Sequence, residues 1–164
     1  MEDGLHEGAS LRVVVQRIRR ARLMLSEEKD GWAEVDRGLV YLVCFVRTTA
    51  GTPPLDLRRA AKSLLMAKID TNAEGRPASV LDMGGDVLVV PQASLSGKLK
   101  GNTPQYHAQV AKEKGLDLYT AFITILNEEA VAAGKVITIK AGVYGNRQAL
   151  STESDGPYTH MFEF

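Results

Sequence analysis

A chain of 164 residues, 45% apolar and 24% charged, has enough hydrophobic material for one core and is far from the depleted composition of disordered segments. Twenty basic residues balance twenty acidic ones, which excludes a protein that coats nucleic acid through its overall field and leaves only local contacts to RNA open. The longest apolar run, Leu39 to Val46, is far shorter than the roughly 20 residues of a membrane-spanning helix, and Cys44, the single cysteine, lies inside it, so no intramolecular disulfide is possible and a buried structural thiol is expected.

The first residues, MEDGLHEGAS, carry neither the basic start nor the apolar stretch of an export signal, so a cytoplasmic protein is expected. Met1 to Ser10 is polar and without periodicity and is expected to form a flexible tail ahead of a domain over residues 11–164. Leu11 to Ile18 and Arg22 to Leu25 are rich in β-branched and aliphatic residues and predict strands, as does the shorter Trp32 to Val35; Arg37-Gly38 reads as a turn. Gly38 to Val46 is a continuous apolar strand, which needs cover on both faces. Asp56 to Ile69 places Leu57, Ala60, Ala61, Leu64, Leu65 and Lys68 at helical spacing, with arginines on the other side.

SVLDM (79–83), a turn at Gly84-Gly85 and DVLVVP (86–91) predict a β-hairpin, and SLSGKLKGNTP (94–104) reads as loop. A second helix, kinked near Gly115, is predicted from Gln105 to Ala133. Leu118, Phe122, Ile125, Leu126 and Glu129 trace its stripe, and Gly134 is its C-terminal cap. VITIKAGVY (136–144), QALS (148–151) and YTHMFEF (158–164) return to strand, the last after a turn at Asp155-Gly156. The blocks predict one α/β domain with mixed, largely antiparallel sheets packed with two main helices.

Most catalytic signatures are absent: there is no nucleophile elbow, phosphate-binding loop, dinucleotide glycine motif or zinc-protease helix, and His6, His107 and His160 with Cys44 have no zinc spacing. No metal or other cofactor is expected. Strand alternation puts Leu88, Val90, Gln92 and Ser94 on one face, with the polar pair where the strand leaves the core and both can face a ligand. Equally, Ser94 can open a turn and Gln92 can be a solvated strand end. Ser94 has no evident base. His160 shares a strand face with Tyr158, Phe162 and Phe164, which favours a hydrogen-bonded core histidine. Gly156-Pro157 can present rigid main chain to a ligand or simply make a turn. Lys98 and Lys100, flanked by glycines, can meet phosphates or water.

Four segments in order, VVVQR (13–17), RGLVYLVCF (37–45), SVLDMGGDVLVVPQASL (79–95) and DGPYTHMFEF (155–164), make the sequence similar to the D-aminoacyl-tRNA deacylases from Leu11 to Phe164. Pro91 to Leu95 (PQASL), LKGNTPQYH, Tyr144 to Gln148 (YGNRQ) and Gly156 to His160 (GPYTH) resemble the branch first described in animals, which is linked to removing L-alanine from threonine tRNA. Gln16-Arg17 and Asp155 look more like the bacterial-type enzymes, which remove D-amino acids and glycine. Ser94 stands where both branches usually carry threonine.

The resemblance implies a deacylase-type fold and a homodimer, with the Gly-Pro of one subunit reaching into the pocket of the other. It implies hydrolysis of the ester between an amino acid and the terminal adenosine of tRNA, for translation quality control. Gln92, Ala93, Ser94 and Leu95 would form the catalytic turn, with main-chain N–H groups as oxyanion donors. Gly156, Pro157, Tyr158, Thr159, Gln16, Arg17 and Arg147 would bind or shape the amino-acid end. Arg17 or Arg147 would fix the orientation of the Gly-Pro carbonyls, and Lys98 and Lys100 would meet the RNA backbone. The rival reading is a non-catalytic nucleic-acid-binding or interaction protein on the same scaffold; a general small-ester hydrolase is a further one.

Overall fold

The computed structural model describes residues 4–28 and 31–164. One long strand, β1 (Ala9–Ser26), organises the domain, joining the two runs that the sequence separates. Its first half pairs antiparallel with β3 (Gly38–Arg47), its second half with β2 (Gly31–Val35), and the C-terminal strand runs along its other edge. Strand alternation over Leu11, Val13 and Val15 buries one β1 face completely. β1 begins at Ala9, which is buried and paired with Arg47, while Leu5 packs on the core and the His6 carbonyl accepts from Leu55 N–H at 2.9 Å. The stretch expected as a tail is thus docked from Leu5 onward; Met1 to Asp3 lie outside the described residues.

Helix α1 (Leu57–Met66) is capped by Asp56, whose carboxylate accepts from the Arg59 N–H, and buries Leu57, Ala60, Ala61, Leu64 and Leu65 of the stripe read from the sequence; it ends before Ile69, and Lys68 is exposed beyond it. After the two-residue strands β4 (Asp70–Thr71) and β5 (Pro77–Ala78) comes the largest departure from expectation. SVLDM is not a strand. Ser79 and Asp82 form a capping box around the short helix α2 (Val80–Met83), which ends on Gly84 in the left-handed conformation, so the predicted hairpin is a helix–turn–strand unit. The apolar residues at 80 and 81 suit either element, and the capping box decides.

Strand β6 (Asp86–Pro91) then runs parallel to β3. A 3-10 helix (Ala93–Ser96), a small hairpin of β7 (Lys98–Lys100) and β8 (Thr103–Gln105), and helix α3 (Lys112–Ala132) follow. α3 starts seven residues later than predicted, Gly115 lies in its first turn, and Gly134 adopts the left-handed conformation just beyond its end. β9 (Ile139–Ala141) adds in parallel to β6, and β10 (Leu150–Glu163) closes the chain, giving the strand order β10-β1-β3-β6-β9. α1 and α3 cover one face over a core that includes Tyr41, Phe122 and Leu126; a smaller cluster of Ile18, Leu23, Val40 and Leu88 lies on the other. The expected α/β class with mixed sheet and two main helices is observed.

The turn after α1 is pinned by charge. Asp70 is buried and accepts from Arg37 Nη2 at 2.8 Å and Nε at 3.2 Å, and from the Thr71 N–H at 2.8 Å. Burial pushes its carboxyl pKa up, but Arg37 and the Thr71 N–H outweigh this and hold it below the usual carboxylate value. Because the folded value is the lower one, the stabilisation is fully present above the unfolded pKa of about 4 and fades as pH falls through the folded value. Urea unfolding of wild type and Asp70→Asn should show a stability gap at pH 7 that narrows as pH falls below the usual carboxylate range; a gap of constant size would refute the pairing.

Candidate active site

β6 ends at Pro91, and Gln92 (φ −140°, ψ 78°) turns the chain into the 3-10 helix instead of extending the strand, so Ser94 does not share a strand face with Leu88 and Val90. The turn is tied down by its carbonyls. Ala93 O accepts from the Ser96 hydroxyl at 2.8 Å and from the Cys44 thiol at 3.6 Å, and Leu95 O accepts from Arg12 Nη1 at 2.7 Å. Cys44 is the buried structural thiol expected, and burial raises its pKa. With carbonyls directed inward, the main-chain N–H groups of Ala93 and Ser94 have no main-chain acceptor among the described residues, as at the start of any helical turn. The Leu95 N–H, by contrast, donates to Gln92 O at 3.2 Å and is not available to a ligand. Gln92 Nε2 donates to the Ser94 hydroxyl, which has no histidine or carboxylate partner among the described residues.

A cavity of about 690 Å3 opens beside this turn, lined by Gln92, Ala93 and Ser94 and by Tyr144 to Gln148. The second of these segments is a braced loop. Gln148 Oε1 accepts from the Val143 N–H at 3.1 Å and its Nε2 donates to Leu25 O at 3.2 Å. Tyr144 stacks obliquely on Tyr119, and its hydroxyl sits where a Cβ at position 115 would be, 2.1 Å away, so α3 needs glycine at that point. Gln109 and Lys112 also line the cavity, with apolar residues of β3 and β6 that include Val43 and Val90. Neither Gln109 nor Lys112 was singled out from sequence, because a helix assigned from Gln105 hid the six-residue connection that delivers them to the cavity.

The second candidate motif lies elsewhere. Gln16 pairs with Thr159 and Ile18 with Ser154, so Asp155, Gly156, Pro157 and Tyr158 bulge out of β10 opposite Arg17 alone. The expected turn at Asp155-Gly156 is this bulge within a continuous strand. Gly156 has φ 119°, a conformation reserved for glycine, and among the described residues no peptide bond is cis, so Gly156-Pro157 is trans. Arg17 clamps the bulge: Nη2 donates to Asp155 O at 2.9 Å, Nη1 reaches Ile69 O at 3.5 Å, and the guanidinium lies 4.6 Å over the Tyr158 ring. Gln16 holds the Ser154 hydroxyl. Arg17 thus holds the Asp155 carbonyl, next to the Gly156-Pro157 pair, while Arg147 lines the cavity and makes no hydrogen bond to the bulge among the described residues. His160 packs between Tyr158 and Phe162, but its buried Nδ1 has no hydrogen-bond partner, unlike the bonded histidine expected.

The sequence profile described as D-Tyr-tRNA(Tyr) deacylase matches residues 14–163. The chain belongs to this deacylase family. D-aminoacyl-tRNA deacylase 2 of Gallus gallus is 39% identical over 93% of this chain and 95% of that protein, and that of Homo sapiens is 38% identical over 93% and 94%. A solved structure of a probable eukaryotic D-amino acid tRNA deacylase superposes with a TM-score of 0.81 at 30% identity, covering 94% of this chain and all of that one. The likeness to animal proteins places the chain with the animal-type branch of the deacylases. No described helix of this deacylase-family chain is long and apolar enough to cross a membrane.

Proposed function

We propose that the chain hydrolyses the ester joining a wrong amino acid to the 3′-terminal adenosine of tRNA, acting in the cytoplasm as a homodimer that protects translation. The observation that carries this reading is that Ala93 and Ser94, whose N–H groups have no main-chain acceptor among the described residues, line a cavity large enough for an aminoacyl-nucleoside. An ester is already activated towards water, so a site that orients the nucleophile and stabilises the oxyanion can suffice without a triad. Gln92 orients and the N–H pair of Ala93 and Ser94 stabilises; Lys98 and Lys100, both exposed on the β7–β8 hairpin next to the turn, meet the RNA backbone.

Two copies are needed. The catalytic turn is anchored at Arg12 and the Gly156-Pro157 bulge at Arg17, five residues further along β1 and hence about 17 Å away. One chain cannot put both against one substrate. β10 is an exposed edge strand carrying Tyr158 and Met161, the kind of edge that a second chain covers. A two-fold pairing sets the bulge of each subunit against the turn of its partner. With a trans Gly-Pro bond, the two carbonyls do not both close on the substrate, and the pocket accepts glycine, small D-amino acids and L-alanine.

Purified protein should release amino acid from glycyl-, D-alanyl- and L-alanyl-tRNA without added metal. Ser94→Ala should keep activity within about tenfold of wild type, since no base activates that hydroxyl. No release from any of the three, or an acyl-enzyme at Ser94, would overturn the mechanism.

A further inference from the structure

Two cations in the cavity wall are left unexplained by hydrolysis. Lys112, from the first turn of α3, and Arg147, from the braced loop, both line the cavity, and Lys112 Cε lies 3.7 Å from the position of a Cβ on Gly145. The Lys112 side chain therefore reaches the loop that carries Arg147, and both residues line the same cavity as Gln92, Ala93 and Ser94. Some cations elsewhere have acidic partners: Arg12 with Glu163, Arg20 with Glu153, Arg37 with Asp70, Arg58 with Glu128 and Glu129. Lys112 and Arg147 have no ion-pair partner among the described residues, in a chain whose formal net charge is zero. Two like charges lining one cavity repel each other, and an anion bound in that cavity offsets the repulsion.

We propose that Lys112 and Arg147 form a phosphate subsite, which takes the phosphodiester on the 5′ side of the terminal nucleoside while that nucleoside's ester lies at the Ala93–Ser94 N–H pair. This rests on the hydrolytic reading given above for the choice of ligand. Both residue types suit a phosphate, because guanidinium can grip two of its oxygens at once and the ammonium adds a compact charge. The cavity's about 690 Å3 is within the range that accommodates a nucleotide with an attached acyl group. Arg147 thereby has a role at the nucleotide end, separate from the Gly-Pro pair.

The test is titration of the whole protein with adenosine and with adenosine 5′-monophosphate, followed by isothermal calorimetry. Wild type should prefer the monophosphate by about tenfold at low salt, the worth of one or two charge-assisted contacts, and the preference should shrink as salt rises. Lys112→Gln with Arg147→Gln should bind both probes equally, with adenosine affinity unchanged, and Lys112→Arg should restore part of the preference. Both sites are exposed, so unchanged thermal unfolding of the variants checks folding. On aminoacyl-tRNA the double variant should lose about tenfold in affinity, seen as a raised KM. A wild type without preference for the monophosphate, or a double variant that keeps it, overturns the subsite. The two readings fail separately: a charge-dependent monophosphate preference in a protein that cleaves no aminoacyl-tRNA supports the subsite and sinks hydrolysis. Cleavage without that preference does the reverse.

Discussion

Gly156→Ala is expected to lower deacylation by about 100-fold, the cost of displacing a substrate-facing main chain by roughly 1 Å, while leaving the protein folded. At φ 119° an L side chain is strained, and its Cβ would meet Arg17 Nη2 at 3.1 Å, so both the backbone and its clamp must shift. The bulge is exposed and outside the ladder, which is why the fold should tolerate the change. Single-turnover cleavage of glycyl-tRNA beside thermal unfolding is the measurement. Near-normal cleavage would remove the bulge from the site; a large loss of stability would make it a fold element instead.

Gly38→Ala should act on the fold. Gly38 opens β3 beside Asp86 of β6, and a Cβ there would lie 1.8 Å from the Asp86 carbonyl oxygen and 2.6 Å from its nitrogen. Both atoms belong to main chain of a residue that also bonds Arg37 and Asp36, so no side-chain rotation relieves the clash. The strands must part where the antiparallel half of the sheet meets its parallel half, at a cost of about 3 kcal/mol, or a fall in Tm of roughly 10 °C. Gly134→Ala is the contrast: nothing lies within 4 Å of its Cβ, and only the left-handed φ of 67° opposes the change, so about 1 kcal/mol is expected. Equal losses at the two positions would show that close packing at Gly38 is not what matters.

Much of the fold was readable because burial follows period. The alternation in Leu11 to Val15 and the stripe of α1 recorded which side faces the core, and the apolar run Gly38 to Val46 recorded a strand covered on both faces. Misreadings came where two elements share one local pattern. SVLDM is apolar enough for a strand, and only the reciprocal Ser79–Asp82 bonds make it helix. The start of α3 was placed too early because polar residues from Gln105 to Ala111 fit a helix and a connection alike.

By itself the sequence determined the fold class, the buried lone thiol, the family and the identity of both candidate motifs, since these depend on composition, period and order along the chain. Where the motifs stand was decided only by tertiary structure. The register between β1 and β10 turns Asp155 to Tyr158 from a turn into a bulge clamped by Arg17, and the curl after Pro91 turns Gln92 and Ser94 out of the strand. Lys112 and Arg147 lie 35 residues apart in sequence and meet at one cavity only because α3 and the loop at Gly145 pack together. Such proximity comes from long-range pairing, which the pattern of side chains along a single strand or helix does not encode.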